Sequence, residues 1–512
     1  MADAGGPLSA PAAGGAKLRL APRLILAGLL GAFCVLGFAP FDAWFAVWPA
    51  PTLALGGLYL LWRAATTRQA ALLGLAWGAG CFLVGVSWVY VSLSQFGGMA
   101  PPAAAAATLA FCLYLALFPA LAGYAFRRLA SDRRKSLWGA DFSRPIADAS
   151  LFAGVWTLTE WLRGTLFTGF PWLAIGYSQS PPSPLAGWAS VLGVYGLGFI
   201  VALIAALLAT GWRKPATWAM VAALLGAGGL LRAMDWTQPV GAPITVSLLQ
   251  GNVPQSLKWD PEHLPRSINT YVQLAKAHPA ALTVLPETAL PLFFDEVPRD
   301  VLREVTTHGG ALIGVAVGTT DGGYTNGAVA LTRELAASAY AKRHLVPFGE
   351  YPPPGFAWFF RFAHIPMSEF TAGQPRQKAL AVGGQLIAPN ICYEDLFGEE
   401  LLSALPTATL LVNLSNTAWF GDSLAQPQHL QIARLRAIET GRVMLRATNT
   451  GMTAMVNPDG AIAAALPPFT TAALVVQAQG RSGLTPYARW GNALALLIAV
   501  GACLAPLRRR QN

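Results

Sequence analysis

Eight apolar stretches constrain this chain more than anything else in it. Seven precede residue 235, at roughly 24–40, 44–62, 70–94, 103–126, 150–167, 186–211 and 216–232, and an eighth runs from about 490 to 507. A membrane-spanning helix needs about 20 mostly apolar residues, so this layout predicts a membrane α-helical bundle of eight transmembrane helices. The first stretch is too long for a signal-peptide core. It lacks a small-x-small exit before Pro40 and is followed at once by another span. The fifth stretch carries Glu160 and Arg163, three apart and so on one helix face. Ionisable groups in a span face a protein interior or a wet cavity. The pair therefore reads either as a structural ion pair near a helix end or as a polar contact beside a substrate cleft.

Hydrophobic residues make up 54% of the chain and charged residues 12%, with a net charge of +10. The basic excess is not spread evenly. Residues 233–489 hold 17 basic and 19 acidic side chains, whereas the rest holds 18 and 6. The excess thus belongs to the apolar part, and no basic face with interleaved aromatics points to nucleic acid. Its position in the loops is informative. Lys17, Arg19 and Arg23 precede the first span, Arg63 and Arg68 follow the second, and Arg127, Arg128, Arg133, Arg134, Lys135 and Arg144 follow the fourth. Arg213 and Lys214 follow the sixth, and Arg508, Arg509 and Arg510 follow the eighth. The alternate loops hold essentially only Arg163. Cytoplasmic loops collect Lys and Arg, so both termini are expected in the cytoplasm and residues 235–486 on the opposite side. Three parts follow: a membrane part over 1–234, an extramembrane domain over 235–486, and a final span with a basic tail over 487–512.

Within 235–486, short β-rich runs alternate with helical ones. Ile244–Leu249, Leu282–Leu285, Ala311–Val317, Ala328–Thr332, Leu386–Ile391, Thr409–Val412 and Met452–Val456 read as strands. Pro261–Ala277, Val297–Thr307 and Ser423–Thr440 read as helices. This alternation predicts an α/β domain. Four of the five cysteines lie in apolar runs, so neither a disulfide framework nor a zinc quartet is available. The six histidines have no HxH or HxxxH spacing, and no phosphate-binding glycine motif occurs, so neither metal nor nucleotide cofactor is expected.

The exception among the cysteines is Cys392, in Asn390-Ile391-Cys392-Tyr393-Glu394-Asp395, where a strand ends and a helix is expected to begin. Two other segments pair reactive side chains with turn residues: Leu285-Pro286-Glu287-Thr288, and the run from Lys342 to Glu350 (KRHLVPFGE). A nearby cation favours thiolate over thiol, a carboxylate can carry the proton, and an ammonium can stabilise an oxyanion. Cys392, Glu287 and Lys342 would then form a nucleophile, a base and an electrostatic clamp. Each also has a plain reading, as a packed thiol, a loop cap and a solvated face. Asn413, Asn416 and Trp419 follow a strand in a turn-rich segment, where they line a site or form Asx turns. The aromatic run Pro354 to Phe362 reads as a lid touching lipid or as a buried helix.

With these segments together, the sequence resembles the apolipoprotein N-acyltransferase family, whose outer domain belongs to the nitrilase superfamily. The resemblance covers nearly the whole chain. It includes Gln250 to Trp259 (QGNVPQSLKW), Leu285 to Thr288, Lys342 to Glu350, Cys392-Tyr393-Glu394, Asn413 to Asp422, Arg434 to Glu439, Glu160 to Gly164 and Gly169 to Trp172. It implies an αββα nitrilase-like sandwich on a helical bundle, in a bacterial inner membrane with the catalytic domain periplasmic. It implies Cys392 as nucleophile, Glu287 as general base and Lys342 as stabiliser of the tetrahedral intermediate. Glu350 would support the site, Tyr393 and Glu394 flank the nucleophile, and Trp259 stands near the substrate entrance. The implied reaction is ping-pong transfer of an acyl chain, through a thioester, to the α-amine of a diacylglyceryl-cysteine on an apolipoprotein. The donor is a phospholipid, expected to be phosphatidylethanolamine, and one copy of the chain suffices. The alternative is a membrane-anchored amidase or hydrolase using the same three residues.

Overall fold

The structure, a computed structural model, describes residues 20–41, 49–134, 143–258, 260–353, 355 and 369–508. Each of the eight apolar stretches contains a helix among the described residues. Among the described residues, seven long helices precede the outer domain: α1 (Leu20–Cys34), α2 (Ala50–Arg63), α3 (Thr67–Gly85), α4 (Pro101–Arg134), α5 (Ser143–Arg163), α6 (Ala189–Gly211) and α7 (Pro215–Ala233). Among the described residues, four segments are long and apolar enough to cross a membrane: Leu20–Gly37, Pro101–Ala130, Pro184–Gly211 and Pro215–Ala233. A fifth is added if α3 and Val89–Phe96, bent by 60° against each other, form one span. The three remaining stretches are less clear-cut. The second covers 14 described residues, the fifth carries charge, and the eighth is short.

The fifth stretch was expected to run to residue 167, but α5 stops at Arg163. Residues 170–188 then form an irregular, largely buried segment with turns at Ile175–Gln179 and Pro184–Trp188. Small residues let the bundle close tightly. A Cβ on Gly31 would lie 1.9 Å from the Trp77 carbonyl oxygen, and one on Gly80 would lie 2.0 Å from that of Gly28. Backbone-to-backbone approach of this kind supplies packing where lipid offers no hydrophobic drive.

The outer domain contains two six-stranded sheets. The first runs β12-β1-β2-β3-β4-β5, built from β1 (Ile244–Gln250), β2 (Leu282–Phe293), β3 (Gly310–Gly318), β4 (Tyr324–Leu331), β5 (Ala337–Ala341) and β12 (Ala472–Ala478). The second runs β11-β10-β9-β8-β7-β6, built from β6 (Leu380–Val382), β7 (Gln385–Ile391), β8 (Leu410–Ser415), β9 (Met444–Thr448), β10 (Ala454–Val456) and β11 (Ile462–Ala465). β1, β2 and β3 are parallel, as are β7, β8 and β9. Val246, Leu248, Val284 and Leu312 of the first sheet share one buried cluster with Ile387, Val412, Leu414 and Leu445 of the second. On the far face of the first sheet lie α8 (Leu264–Ala277) and α9 (Arg299–Val305). On the far face of the second lies α10 (Ala425–Thr440). After the domain comes α11 (Ala493–Arg508), packed against α5 and α6.

α10 explains how the two parts join. Fourteen of its sixteen residues are buried although many are polar. One side meets the second sheet and the other meets the bundle, where polar side chains find partners. Trp172 Nε1 donates to Gln428 Oε1 at 2.7 Å, and the Val194 N–H donates to Glu439 Oε1 at 2.8 Å. Buried polar groups are tolerated when so paired. A search for amphipathic periodicity finds this helix only weakly, because neither face meets water.

Candidate active site

The candidate nucleophile stands at the end of β7, in the second sheet. Cys392 opens a single five-residue 3₁₀ turn, Cys392–Leu396, rather than the helix expected from sequence. Its φ is +53°, a strained region for a non-glycine residue. The conformation turns the thiol out of the strand ladder and toward the facing sheet. Burial pushes the thiol well above its ordinary range, and Glu287 and Glu350 add to that while Lys342 and Arg446 oppose it. The resting sulfur is therefore held as a thiol.

Glu287 comes from the opposite sheet. The β2–β3 pairing loses register between Leu285 and Leu290, and such irregularities re-aim side chains. The carboxylate is 7% exposed. Its Oε1 accepts from Asn326 Nδ2 at 2.7 Å and its Oε2 from the Asn416 backbone N–H at 2.8 Å. Lys342 follows β5 and lies 3.5 Å from Glu287 Oε1. Its Nζ meets both oxygens of Glu350 at 2.9 Å. Burial disfavours the Lys342 ammonium, but Glu350, Glu287 and Cys392 outweigh it and hold the group above an ordinary lysine. Lys342 is thus a fixed cation at this site. Glu350 is saturated: besides Lys342 it accepts from Asn326 Nδ2 at 2.8 Å and the Val346 N–H at 2.8 Å.

The flanking residues act through geometry. Glu394 is 1% exposed and accepts from the N–H groups of Ile391 (2.7 Å), Arg343 (2.7 Å) and His344 (3.2 Å), and from the Tyr340 hydroxyl (2.9 Å). It ties the lysine-bearing segment to the nucleophile turn, while burial pushes its carboxyl up to about 7 against those donors and Lys342. Tyr393 points to the bundle, where its hydroxyl donates to the Gly169 carbonyl oxygen at 2.8 Å. That segment is held in turn by Arg163, whose Nη1 donates to the carbonyls of Phe170 (2.6 Å) and Trp172 (2.7 Å). Glu160 lies 3.9 Å from Arg163 and accepts from the Ile175 N–H at 2.9 Å. The two form an ion pair that holds the segment to which the Tyr393 hydroxyl bonds, and both line a cavity with Trp77, Phe82 and Trp156.

Not every sequence candidate touches the charged cluster. Asn416 contributes its backbone N–H, while its side chain bonds Gln255 and Asn449. Asn413 donates to the Cys392 carbonyl oxygen at 3.2 Å. The Trp419 carbonyl accepts from Ser92, and its ring packs edge-on against Phe96 of the bent helix, at the junction with the bundle. Trp259 and, apart from Gly355, the proposed lid over 354–362 lie outside the described residues. Two site residues escaped sequence reasoning. Asn326 sits in a strand of small residues and carries no local turn signal. Lys258 stands in the stretch Gln250 to Trp259, which assigns it no role. No group of three or more metal-binding side chains occurs among the described residues.

Fold and site define a class: a carbon–nitrogen hydrolase domain carried on a bundle of apolar helices. Residues 245–487 match the carbon-nitrogen hydrolase family, and residues 30–207 match the apolipoprotein N-acyltransferase N-terminal domain. Curated relatives agree along almost the full length. An apolipoprotein N-acyltransferase of Nitrosomonas europaea is 47% identical, covering 96% of this chain and 99% of the relative. Those of Ralstonia nicotianae (45%, covering 100% and 98%) and Chromobacterium violaceum (44%, covering 95% and 93%) are similar. The chain belongs to the apolipoprotein N-acyltransferase family.

Proposed function

We propose that the protein transfers an acyl chain from a membrane phospholipid to the α-amine of a diacylglyceryl-cysteine at the N-terminus of apolipoproteins. The observation that carries the chemistry is the meeting of Glu287, Lys342 and Cys392 between two sheets, with the thiol neutral at rest and the lysine held as a cation. Glu287 takes the thiol proton as sulfur attacks the ester carbonyl. The Lys342 ammonium stabilises the tetrahedral oxyanion. Collapse expels the lysophospholipid, whose alkoxide recovers the proton from Glu287, and leaves a Cys392 thioester. The neutral acceptor amine then attacks the thioester, one of its protons passes through Glu287 to the departing Cys392 sulfur, and the thiol returns. Glu350 holds Lys342 in place, Glu394 aligns the two active segments, and Trp259, Asn416 and Trp419 serve substrate binding.

The membrane part fits this reading because both substrates carry acyl chains. Lifting them out of lipid costs about 0.8 kcal/mol per CH₂, so a site docked on the bundle avoids that cost. We further infer eight spans in a bacterial inner membrane, with both termini cytoplasmic, the αββα domain periplasmic, and phosphatidylethanolamine as donor to a working monomer. Intact-mass measurement after incubation with phosphatidylethanolamine tests the chemistry. An acyl-sized adduct, absent from Cys392→Ala and discharged by a diacylglyceryl-cysteine peptide, is expected. Discharge by water at the same rate would make the protein a hydrolase, and no adduct on folded protein would overturn the thioester.

A further inference from the structure

A second buried lysine faces the same groups and has no part in the steps above. Lys258 follows the short turn Gln255–Leu257 and is 4% exposed. Its Nζ donates to the Glu287 carbonyl oxygen at 3.2 Å and to the Thr288 hydroxyl. These bonds hold the Glu287 carbonyl and the next residue's hydroxyl, immediately after the Glu287 Cα. That backbone needs holding, because Thr288 has φ +43°, an unfavourable region for a β-branched residue. Neither partner is a full charge. The charges facing Lys258 are those of Glu287 and the Cys392 sulfur. Around Cys392, the other charges are Lys342, Glu350 and Arg446, the last already paired with Asp395 at 3.0 Å.

Counting charge shows why a second lysine matters. With Lys258 protonated, the cluster of charges acting on Glu287 and Cys392 comes from two carboxylates, Glu287 and Glu350, and two ammoniums, Lys342 and Lys258, while the Glu394 carboxyl is held apart by the N–H groups of Ile391, Arg343 and His344. Moving the thiol proton to Glu287 preserves that balance. With Lys258 neutral, the cluster carries one uncompensated negative charge away from water, which is costly. We propose that Lys258 is a positioning residue of the acylation step, whose ammonium fixes the Glu287–Thr288 turn and neutralises the cluster in which Glu287 and Cys392 exchange a proton. The proposal rests on the acyl-transfer reading above. Burial lowers the Lys258 ammonium to about 8 while Glu287 and Cys392 oppose that fall, so the balance is lost just above neutral pH.

The test uses full-length protein in detergent with phosphatidylethanolamine and no acceptor. It follows acyl adduct formation on Cys392 by intact mass across pH 5.5–9.5, for wild type, Lys258→Met and Lys258→Arg. Iodoacetamide capture of Cys392, located by peptide mass, is read in parallel. Wild-type acylation is expected to fall above about pH 8. Lys258→Arg keeps the charge and should lose that falling limb. Lys258→Met should be slower by about tenfold or more at pH 7, with its acidic limb moved to higher pH. Overlapping profiles for wild type and Lys258→Met, or one constant factor at every pH, would overturn the proposal. If Lys258→Met does not fold, an alkaline limb shared by wild type and Lys258→Arg overturns it equally. If no protein acylates, the acyl-transfer reading itself fails. The alkylation profiles then decide the lysine separately: slower capture in Lys258→Met supports it, and unchanged capture refutes it.

Discussion

Replacing Glu350 by glutamine removes one charge and changes almost no volume, yet the structure makes it a severe change. Glu350 Oε1 takes Lys342 and Asn326, while Oε2 takes Lys342 and the Val346 N–H. Glutamine offers one carbonyl oxygen and two N–H donors. In either orientation, an NH₂ group must face donors. A buried donor left unsatisfied costs about 1–3 kcal/mol, and breaking a buried ion pair costs about 3–5 kcal/mol. Glu287, 3.5 Å away, keeps part of the field on Lys342. We therefore expect about 3–4 kcal/mol to reach the barrier, which is about 100- to 1,000-fold in rate. The assay is the single-turnover rate of acyl adduct formation from phosphatidylethanolamine, beside a thermal melt followed by tryptophan fluorescence. A folded Glu350→Gln protein that acylates within about threefold of wild type would show that Lys342 does not depend on this carboxylate.

Other consequences are as specific. Asn326→Ala strips a donor from both Glu287 and Glu350 and should slow acylation at least about tenfold, whereas Asn416→Ala keeps the backbone N–H on Glu287 and should cost less than about fivefold; equal losses in the two single-turnover rates would refute the assignment. Because burial raises the Cys392 thiol, its thiolate fraction is small at neutral pH, so iodoacetamide capture should keep rising through pH 9 without a plateau, and Lys342→Met should slow it further. A plateau by pH 8 in the wild type would contradict this. Tyr393→Phe leaves the buried Gly169 carbonyl without the Tyr393 hydroxyl donor and should destabilise by about 1–2 kcal/mol, readable as a lower melting temperature. Arg163→Met frees the carbonyls of Phe170 and Trp172 and should lower the melting temperature more than Tyr393→Phe does; a smaller shift would mean that the segment is held by other contacts.

Much of this protein is written in local patterns. Apolar runs place the eight helical stretches because a helix in lipid must be apolar for most of its length. Strands of the parallel cores, such as Ile244–Gln250 and Leu410–Ser415, show as short, mostly apolar runs. Cys392 stands out because no other cysteine lies outside an apolar stretch. Other features are set by partners far along the chain. The strand Met444–Thr448 was missed: its Arg446 is buried only because Asp395 and Asn413 lie across from it. α10 looks too polar for a core because its partners belong to the bundle. Asn326 shows no motif, and Lys258 stands in a matching stretch that gives it no role. Their importance comes from the two carboxylates of one charged cluster and from a strained turn, brought together by two sheets packing face to face. Apolar length and turn chemistry are local quantities, so sequence alone determined them. The pairing of buried charge depends on which groups the fold withdraws from water together, and only the tertiary structure decided that.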